Sequence, residues 1–282
     1  MKIRHPARSV APQNGNIDRK TLLITGAAGS VGTALRPLLR RDFALVLLDT
    51  NDLGPLAANE RAIKASITDA GAVENAVQDA DAILHLAAVH DFDISFEQTL
   101  DVNYRGMILL LDAAVRHGVE SVIFASSNHG WGYYKVADTP LSDRDPPRPD
   151  GWYGIAKLWG EATLTFYAET YGFSATSLRI GNLNDTVPDQ HRIHMWLSYA
   201  DMARLVGTII DRHLPGHRAF FCNSNGPKPF FENSGFDQLG FIPRDTPMDH
   251  LSDPNLATSP DISPDNDLGG GFARLNRQLG KK

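Results

Sequence analysis

Leu22, Leu23 and Ile24 form a short run without a polar position, and two residues later the chain meets Gly26. Comparable runs recur at Ala44–Leu48, Ala82–Leu86, Ser121–Ala125 and Ala175–Ile180. A strand with one wet face alternates apolar and polar residues, whereas a strand that is apolar throughout has to be covered on both faces. Between the runs lie segments with apolar residues at helical spacing: Ser30–Arg41 (with Pro37 inside it), Ala70–Val77, Phe96–His117 and Tyr153–Tyr171. Gly118 and Gly172 stand where the last two should stop. The rhythm of strand and helix predicts an α/β fold built on a doubly wound parallel sheet.

After Gly181 the rhythm changes. One more helix is expected over Asp201–His213, and the rest is rich in Pro, Gly, Asn and Asp, with little periodicity in Pro243–Lys282. Three parts are therefore expected: a flexible N-terminal tail over 1–19, a sheet domain over 20–181, and a small loop-rich C-terminal substrate lobe over 182–282. The polar stretch Asp253–Gly271 is read as a surface or terminal segment placed to order over a site.

Composition narrows the function. The chain has 282 residues, 42% of them apolar and 21% charged, enough for a full core and incompatible with disorder throughout. A net charge of −6 argues against nucleic-acid binding, which wants a basic face. Cys222 is the single cysteine, which excludes an internal disulfide and a Cys-based zinc site. No apolar run approaches the ~18–20 residues of a membrane span, and the first nineteen residues lack the apolar stretch of a secretory signal. The expectation is a cytoplasmic protein with neither nucleic-acid nor membrane partners.

The first strand runs into Gly26-Ala27-Ala28-Gly29-Ser30-Val31-Gly32. In a Rossmann-type unit Gly26 makes the tight turn, Gly29 lets the backbone approach a pyrophosphate, and Gly32 lets the helix pack on the sheet. The helix N-terminus offers free N–H groups to phosphates. An ordinary strand-to-helix turn would look similar, but here Asp49 closes the second strand. A carboxylate there accepts from an adenosine ribose and repels a 2′-phosphate, and no Arg lies in 49–55, so NAD is favoured over NADP.

Tyr153 and Lys157 are spaced by four on one predicted helix and therefore share a face. A phenol titrates too high for a base at neutral pH. An ammonium ~4 Å away contributes roughly 4 kcal/mol at an effective dielectric of 20, enough to lower the phenol. The phenolate could then take a proton from a substrate hydroxyl. Ser126 and Ser127 end a strand on the side where parallel sheets bind ligands, and Ser127 is suited to hold the reacting oxygen. Turn capping by the serines and a surface Tyr–Lys pair are the plainer alternatives. No metal site is expected: His213 and His217 are spaced by four, but Pro215-Gly216 breaks the helix between them. His85 reads as a core or cofactor-rim histidine, Trp159 as core, Trp152 as a pocket candidate and Cys222 as a buried strand residue.

On these residues the chain resembles the extended short-chain dehydrogenase/reductase superfamily, in its epimerase/dehydratase branch. The strings are Thr25-Gly26-Ala27-Ala28-Gly29, Leu84-His85-Leu86-Ala87-Ala88, Ser126-Ser127, Tyr153 with Lys157, and Arg179-Ile180-Gly181-Asn182. Within that branch it is most similar to the uronate dehydrogenases, through Ser127-Asn128-His129, Arg148-Pro149-Asp150-Gly151-Trp152-Tyr153 and Gly270-Gly271-Phe272. The resemblance implies NAD held by Gly26, Gly29, Ser30, Val31, Gly32, Asp49, Ser66, Ile67, Leu86, Ala87, Ala88, Tyr153, Lys157 and Ile180. It implies NAD-dependent oxidation of a uronic acid, glucuronate- or galacturonate-like, at C1 to an aldarolactone, with Tyr153 as base, Ser127 orienting O1 and Lys157 lowering the phenol. His90, Ser127, Asn128, His129, Asn182, Arg192 and Phe272 would meet the sugar, with Arg192 on its carboxylate.

Some positions depart from the family's pattern. Ser66-Ile67 lacks the usual preceding Asp, His90 and Asn182 replace small hydroxyl residues, and a shifted arginine register makes His191 an alternative to Arg192. Another sugar or sugar phosphate as substrate, a sugar-nucleotide epimerase or dehydratase, and a dinucleotide-binding redox sensor are the competing readings. The short C-terminal lobe speaks against a nucleotide sugar, and the Ser–Tyr–Lys set speaks against a sensor. The branch also implies a homo-oligomer.

Overall fold

The computed structural model describes residues 19–91, 93–260 and 262–279. The expected N-terminal tail lies outside the described residues except for Arg19. Seven parallel strands form the main sheet, in the order β3-β2-β1-β4-β5-β6-β9. They are β1 (Thr21–Thr25), β2 (Ala44–Asp49), β3 (Glu60–Lys64), β4 (Ala82–His85), β5 (Ser121–Ser127), β6 (Ser174–Ile180) and β9 (Gly216–Cys222). A small two-stranded ladder pairs β7 (Asn182–Leu183) with β8 (Trp196–Leu197).

From β1, inside the sheet, the strands work out to β3 and return to β4 on the other side of β1. That reversal opens a crevice at the carboxyl ends of β1 and β4, the place where open parallel sheets take ligands. Helices cover both faces. On one, α1 (Ser30–Leu39), α7 (Tyr199–Arg212) and α8 (Ser234–Leu239) bury Leu35, Leu39, Leu205, Ile209 and Phe236 against the strands. On the other, α2 (Ala70–Val77), α4 (Met107–His117) and α5 (Trp152–Tyr171) bury Val73, Val77, Leu110, Leu111, Leu164 and Tyr167. Leu22, Leu23 and Ile24 alternate between these two clusters, which is why β1 has no polar position.

The fold expectation holds, with informative differences. β3 was not legible because Glu60-Arg61-Ala62-Ile63-Lys64 is an edge strand, only half-buried, and so carries no apolar run. The sheet takes its seventh strand, β9, from the segment read as a loop-rich lobe, and Cys222 is buried in it as expected. Phe96–His117 is not one regular helix: α3 (Phe96–Thr99) passes through a π-helical stretch, Leu100–Gly106, before α4 begins. Beyond β8's neighbour α6 (Gln190–Ile193), the weakly periodic C-terminal segment ends in α9 (Gly271–Leu279), in which only Ala273 is buried. Its larger apolar residues, Phe272, Leu275 and Leu279, do recur at helical spacing, but the helix is short and mostly polar. Among the described residues no helix is long and apolar enough to cross a membrane.

Candidate active site

The turn from β1 into α1 builds the first cavity, of about 330 Å³. Gly26 has φ +70, and a Cβ there would lie 2.7 Å from the backbone nitrogen of Ala87. Only glycine lets the β1 turn and the Leu86–Ala88 exit of β4 approach so closely. Thr25 ties them further: its Oγ1 accepts from the Ala87 N–H at 3.2 Å and bonds His85 Nδ1 at 2.7 Å. The buried His85 ring has its pKa pulled down to about 3, by burial first and the Lys157 charge second, so it is a neutral brace. No side chain caps the start of α1, which leaves its first N–H groups open to an anion.

Asp49 closes the far side. Its carboxylate accepts from the N–H groups of Ala28 (3.0 Å) and Asn51 (2.9 Å), which fixes it at the rim with lone pairs to spare. Folding brings one guanidinium to this loop, that of Arg36, which bonds Glu60 and the carbonyls of Leu53 and Pro55. It is thereby neutralised rather than free for a phosphate. Gly26, Gly29, Ser30, Val31, Gly32, Asp49, Ser66, Ile67 and Leu86–Ala88 all line this one cavity, and so does His90. Ile180 does not; it ends β6, half-buried against the core. A glycine-lined cradle at a helix N-terminus with a fixed carboxylate opposite fits a dinucleotide.

The second cavity, of about 790 Å³, lies between the β5 and β6 exits and the C-terminal segment. Asn128, His129, Asn182, Arg192 and Phe272 line it together. Asn182 Oδ1 is buried there without a hydrogen-bond partner among the described residues. His191 has a different task from the one considered for it: its Nε2 donates to the Leu268 carbonyl at 2.9 Å, and burial lowers its pKa, so it holds the C-terminal loop as a neutral ring. Arg192 forms an ion pair with Asp189 at the cavity wall. Arg274 of α9, which the sequence did not single out, also lines this cavity.

Tyr153 stands between the two spaces. Its ring lies 5.5 Å from that of His90, on the first cavity, and 5.9 and 6.5 Å from those of His129 and Phe272, on the second. It reaches this place because Gly154, with no Cβ, lets the start of α5 press against the His129 carbonyl at the end of β5. Ser127, at the end of β5, accepts from the His129 N–H at 3.2 Å and donates to Asn128 Oδ1 at 3.3 Å. The buried Lys157 sits with Nζ 5.3 Å from the Tyr153 ring centre and 4.6 Å from that of Phe124.

The electrostatics differ from the expectation that the ammonium lowers the phenol. Burial pushes Tyr153 up to about 12, with the Ser127 hydrogen bond pulling the other way. Burial likewise pulls Lys157 down to about 7. Both groups are stripped of water, so each is driven towards its neutral form. Behind them, Ser126 donates to Glu161 at 2.6 Å, and Arg179 bonds the same carboxylate at 2.9 Å while stacking on Trp131. This is structural bracing of the strand end.

Other side chains single themselves out less. Trp152, a pocket candidate in the sequence, lies 45% exposed and stacks on Phe96 instead, because its side chain leaves α5 on the outer face. His217 bonds Thr165 and Ser177, and α7 ends before His213, so the two histidines go separate ways. Asn103, unforeseen in the sequence, braces the loop before His90 by bonding both the N–H and the carbonyl of Val89. It sits in the π-helical stretch, a local irregularity with no residue signature.

Residues 22–193 match the family described as NAD dependent epimerase/dehydratase. Uronate dehydrogenase of Pseudomonas syringae pv. tomato is 35% identical over 80% of this chain and 82% of its own length. The crystal structure of uronate dehydrogenase from Agrobacterium tumefaciens aligns with a TM-score of 0.82 and 30% identity, covering 92% of this chain and 98% of that one. Glucuronic acid dehydrogenase from Chromohalobacter salexigens aligns with a TM-score of 0.83 and 31% identity, over 90% and 97% of the two chains.

Proposed function

The chain belongs to the NAD dependent epimerase/dehydratase family, and from that premise we propose that it is a uronate dehydrogenase, oxidising a glucuronate- or galacturonate-like acid at C1 to the aldarolactone. One observation carries the reading: Tyr153 stands between a glycine-lined cavity and a polar cavity, in contact with residues of both. NAD, bound in the first cavity, supplies the hydride acceptor.

The chain's own residues do the rest. Ser127 holds the C1 oxygen beside the phenol, and Tyr153 takes the hydroxyl proton. Lys157, one helical turn along, offers its ammonium to offset the charge that appears on the phenol oxygen. Burial opposes each charge when it stands alone, so the ammonium favours the phenolate beside it when both are present. Asn128, His129, Asn182 and Phe272 surround the sugar, with His90 at the junction with the first cavity. The bare Asn182 Oδ1 fits a hydroxyl donor. A carboxylate needs a cation, which the neutral His191, bonded to Leu268, does not offer. Arg192 provides one by exchanging Asp189 for the substrate, and bidentate pairing suits it to a carboxylate.

The test is NADH formation by the purified protein with glucuronate and galacturonate, monitored by absorbance. Turnover is expected with at least one of them. Oxidation of neutral aldoses or sugar phosphates with no uronate turnover would reject the uronate assignment and keep the dehydrogenase.

A further inference from the structure

Among the buried acids that the reaction leaves unused is Asp150. It lies between β5 and α5 with a side chain wholly out of solvent. Its Oδ2 is 2.8 Å from His129 Nδ1, and its backbone N–H donates to the His129 carbonyl at 3.2 Å. Its own carbonyl accepts from Asn276 of α9 at 2.7 Å. Space for the carboxylate comes from two glycines of different segments: a Cβ on Gly132 would lie 1.9 Å, and one on Gly269 1.7 Å, from Oδ2. The other oxygen, Oδ1, is buried with no hydrogen-bond partner among the described residues. A half-satisfied buried carboxylate works against stability, and a merely structural position would be better filled by an apolar or amide side chain.

A carboxylate only accepts, so the histidine nitrogen facing it carries the proton. We propose that Asp150 is a positioning residue that holds His129 as its Nδ1–H tautomer, leaving Nε2 as a fixed hydrogen-bond acceptor for a substrate hydroxyl. The ring is wedged for that task, 4.2 Å from Phe272 and 5.9 Å from Tyr153, on the wall of the second cavity. An acceptor at this point selects a hydroxyl and disfavours a carboxylate, which turns the acid end of a sugar acid towards the guanidinium side of the cavity. The pair thus sets which end of the substrate faces Tyr153. The identity of that substrate rests on the uronate reading; the tautomer does not.

Nitrogen-15 NMR of the histidine-labelled wild-type protein tests the tautomer without any substrate, His129 being assigned by its loss in His129→Asn. A protonated Nδ1 and a bare Nε2 are expected, and a bare Nδ1 overturns the proposal. Asp150→Asn should raise KM for the sugar about tenfold with a smaller change in kcat, the scale of one hydrogen bond to a charged group. NADH affinity, read by fluorescence, should stay unchanged. The double variant His129→Asn/Asp150→Asn should lose no more than His129→Asn alone. Losses that multiply, or a fall in NADH affinity matching the rise in KM, would show that Asp150 acts on the fold rather than through His129. If the wild type turns over no uronate while the nitrogen pattern holds, the uronate reading fails and the positioning role stands.

Discussion

The two cavities are made in different ways. The first is lined by backbone, glycines and small side chains from residues 25–102, most of them at the ends of four neighbouring strands. The second, drawn from residues 128–278, sets charged and amide side chains such as Asn128, Arg192 and Arg274 beside the backbone of Gly181, Gly269, Gly270 and Gly271. It is closed by loops fastened to each other: Leu268 N–H to the Tyr134 carbonyl, Gly269 N–H to that of Gly132, and His191 to Leu268. A cavity made of backbone has its shape dictated by the sheet and suits a constant ligand. A cavity walled by side chains can be altered one residue at a time: Asn182 and the shifted arginine register depart from the family pattern here, while Ser66-Ile67 and His90 depart on the first cavity.

The largest test of this division is at the junction. Tyr153→Phe should lower kcat about 10²–10⁴-fold, the range of a general base, while leaving NADH affinity intact. A loss of NADH affinity instead would mean that the tyrosine belongs to the first cavity alone. Next come the two walls. Arg192→Ala should raise KM for a uronate about 10–100-fold, one charge-assisted interaction, and leave both NADH affinity and neutral aldoses untouched. Should Arg274→Ala have that effect and Arg192→Ala none, the carboxylate site moves to α9 without disturbing the rest.

Asp49→Ala is the converse case. It should weaken NAD by about tenfold or somewhat more, the scale of hydrogen bonds to a carboxylate, narrow the preference over NADP, and leave the apparent affinity for sugar nearly unchanged. Cross-effects between Asp49→Ala and Arg192→Ala would show that the cavities are not separable.

A last effect concerns folding stability against pH rather than binding. Lys157 titrates near 7 in the folded protein against 10.5 when unfolded. The unfolded chain therefore binds the extra proton between these values, and the penalty for burying Lys157 is full below pH 7 and fades as pH rises towards 10.5. Folding stability should gain at most about tenfold in equilibrium constant per pH unit across that window. The gain should be absent in Lys157→Met, as read from urea midpoints of the two proteins at matched pH. Equal slopes would mean that the lysine stays protonated and hydrated in the folded state.

The parts legible in the sequence share a cause. β1, β2, β4, β5 and β6 announce themselves because strands inside a doubly covered sheet must be apolar on both faces. Gly26 and Asp49 announce themselves because a dinucleotide turn needs both within one unit of strand, helix and strand. β3, a half-buried edge strand, carries no such demand, and in β9 only the last residues, Phe220, Phe221 and Cys222, are buried. The π-helical stretch around Asn103 likewise has no composition to betray it.

The sequence by itself determined the covered sheet, the glycine cradle with its carboxylate, and the presence of Ser127, Tyr153 and Lys157, since each follows from rules acting over a few neighbouring residues. Only the tertiary structure decided that Arg36 is neutralised by Glu60, that His191 is bound to Leu268, that Asp150 stands behind His129, and that burial drives Tyr153 and Lys157 apart in pKa. Those outcomes depend on which groups lose water together and on contacts between segments more than a hundred residues apart, as between Asp150 and Asn276, 126 residues on. No local pattern encodes such a meeting; the packed core does.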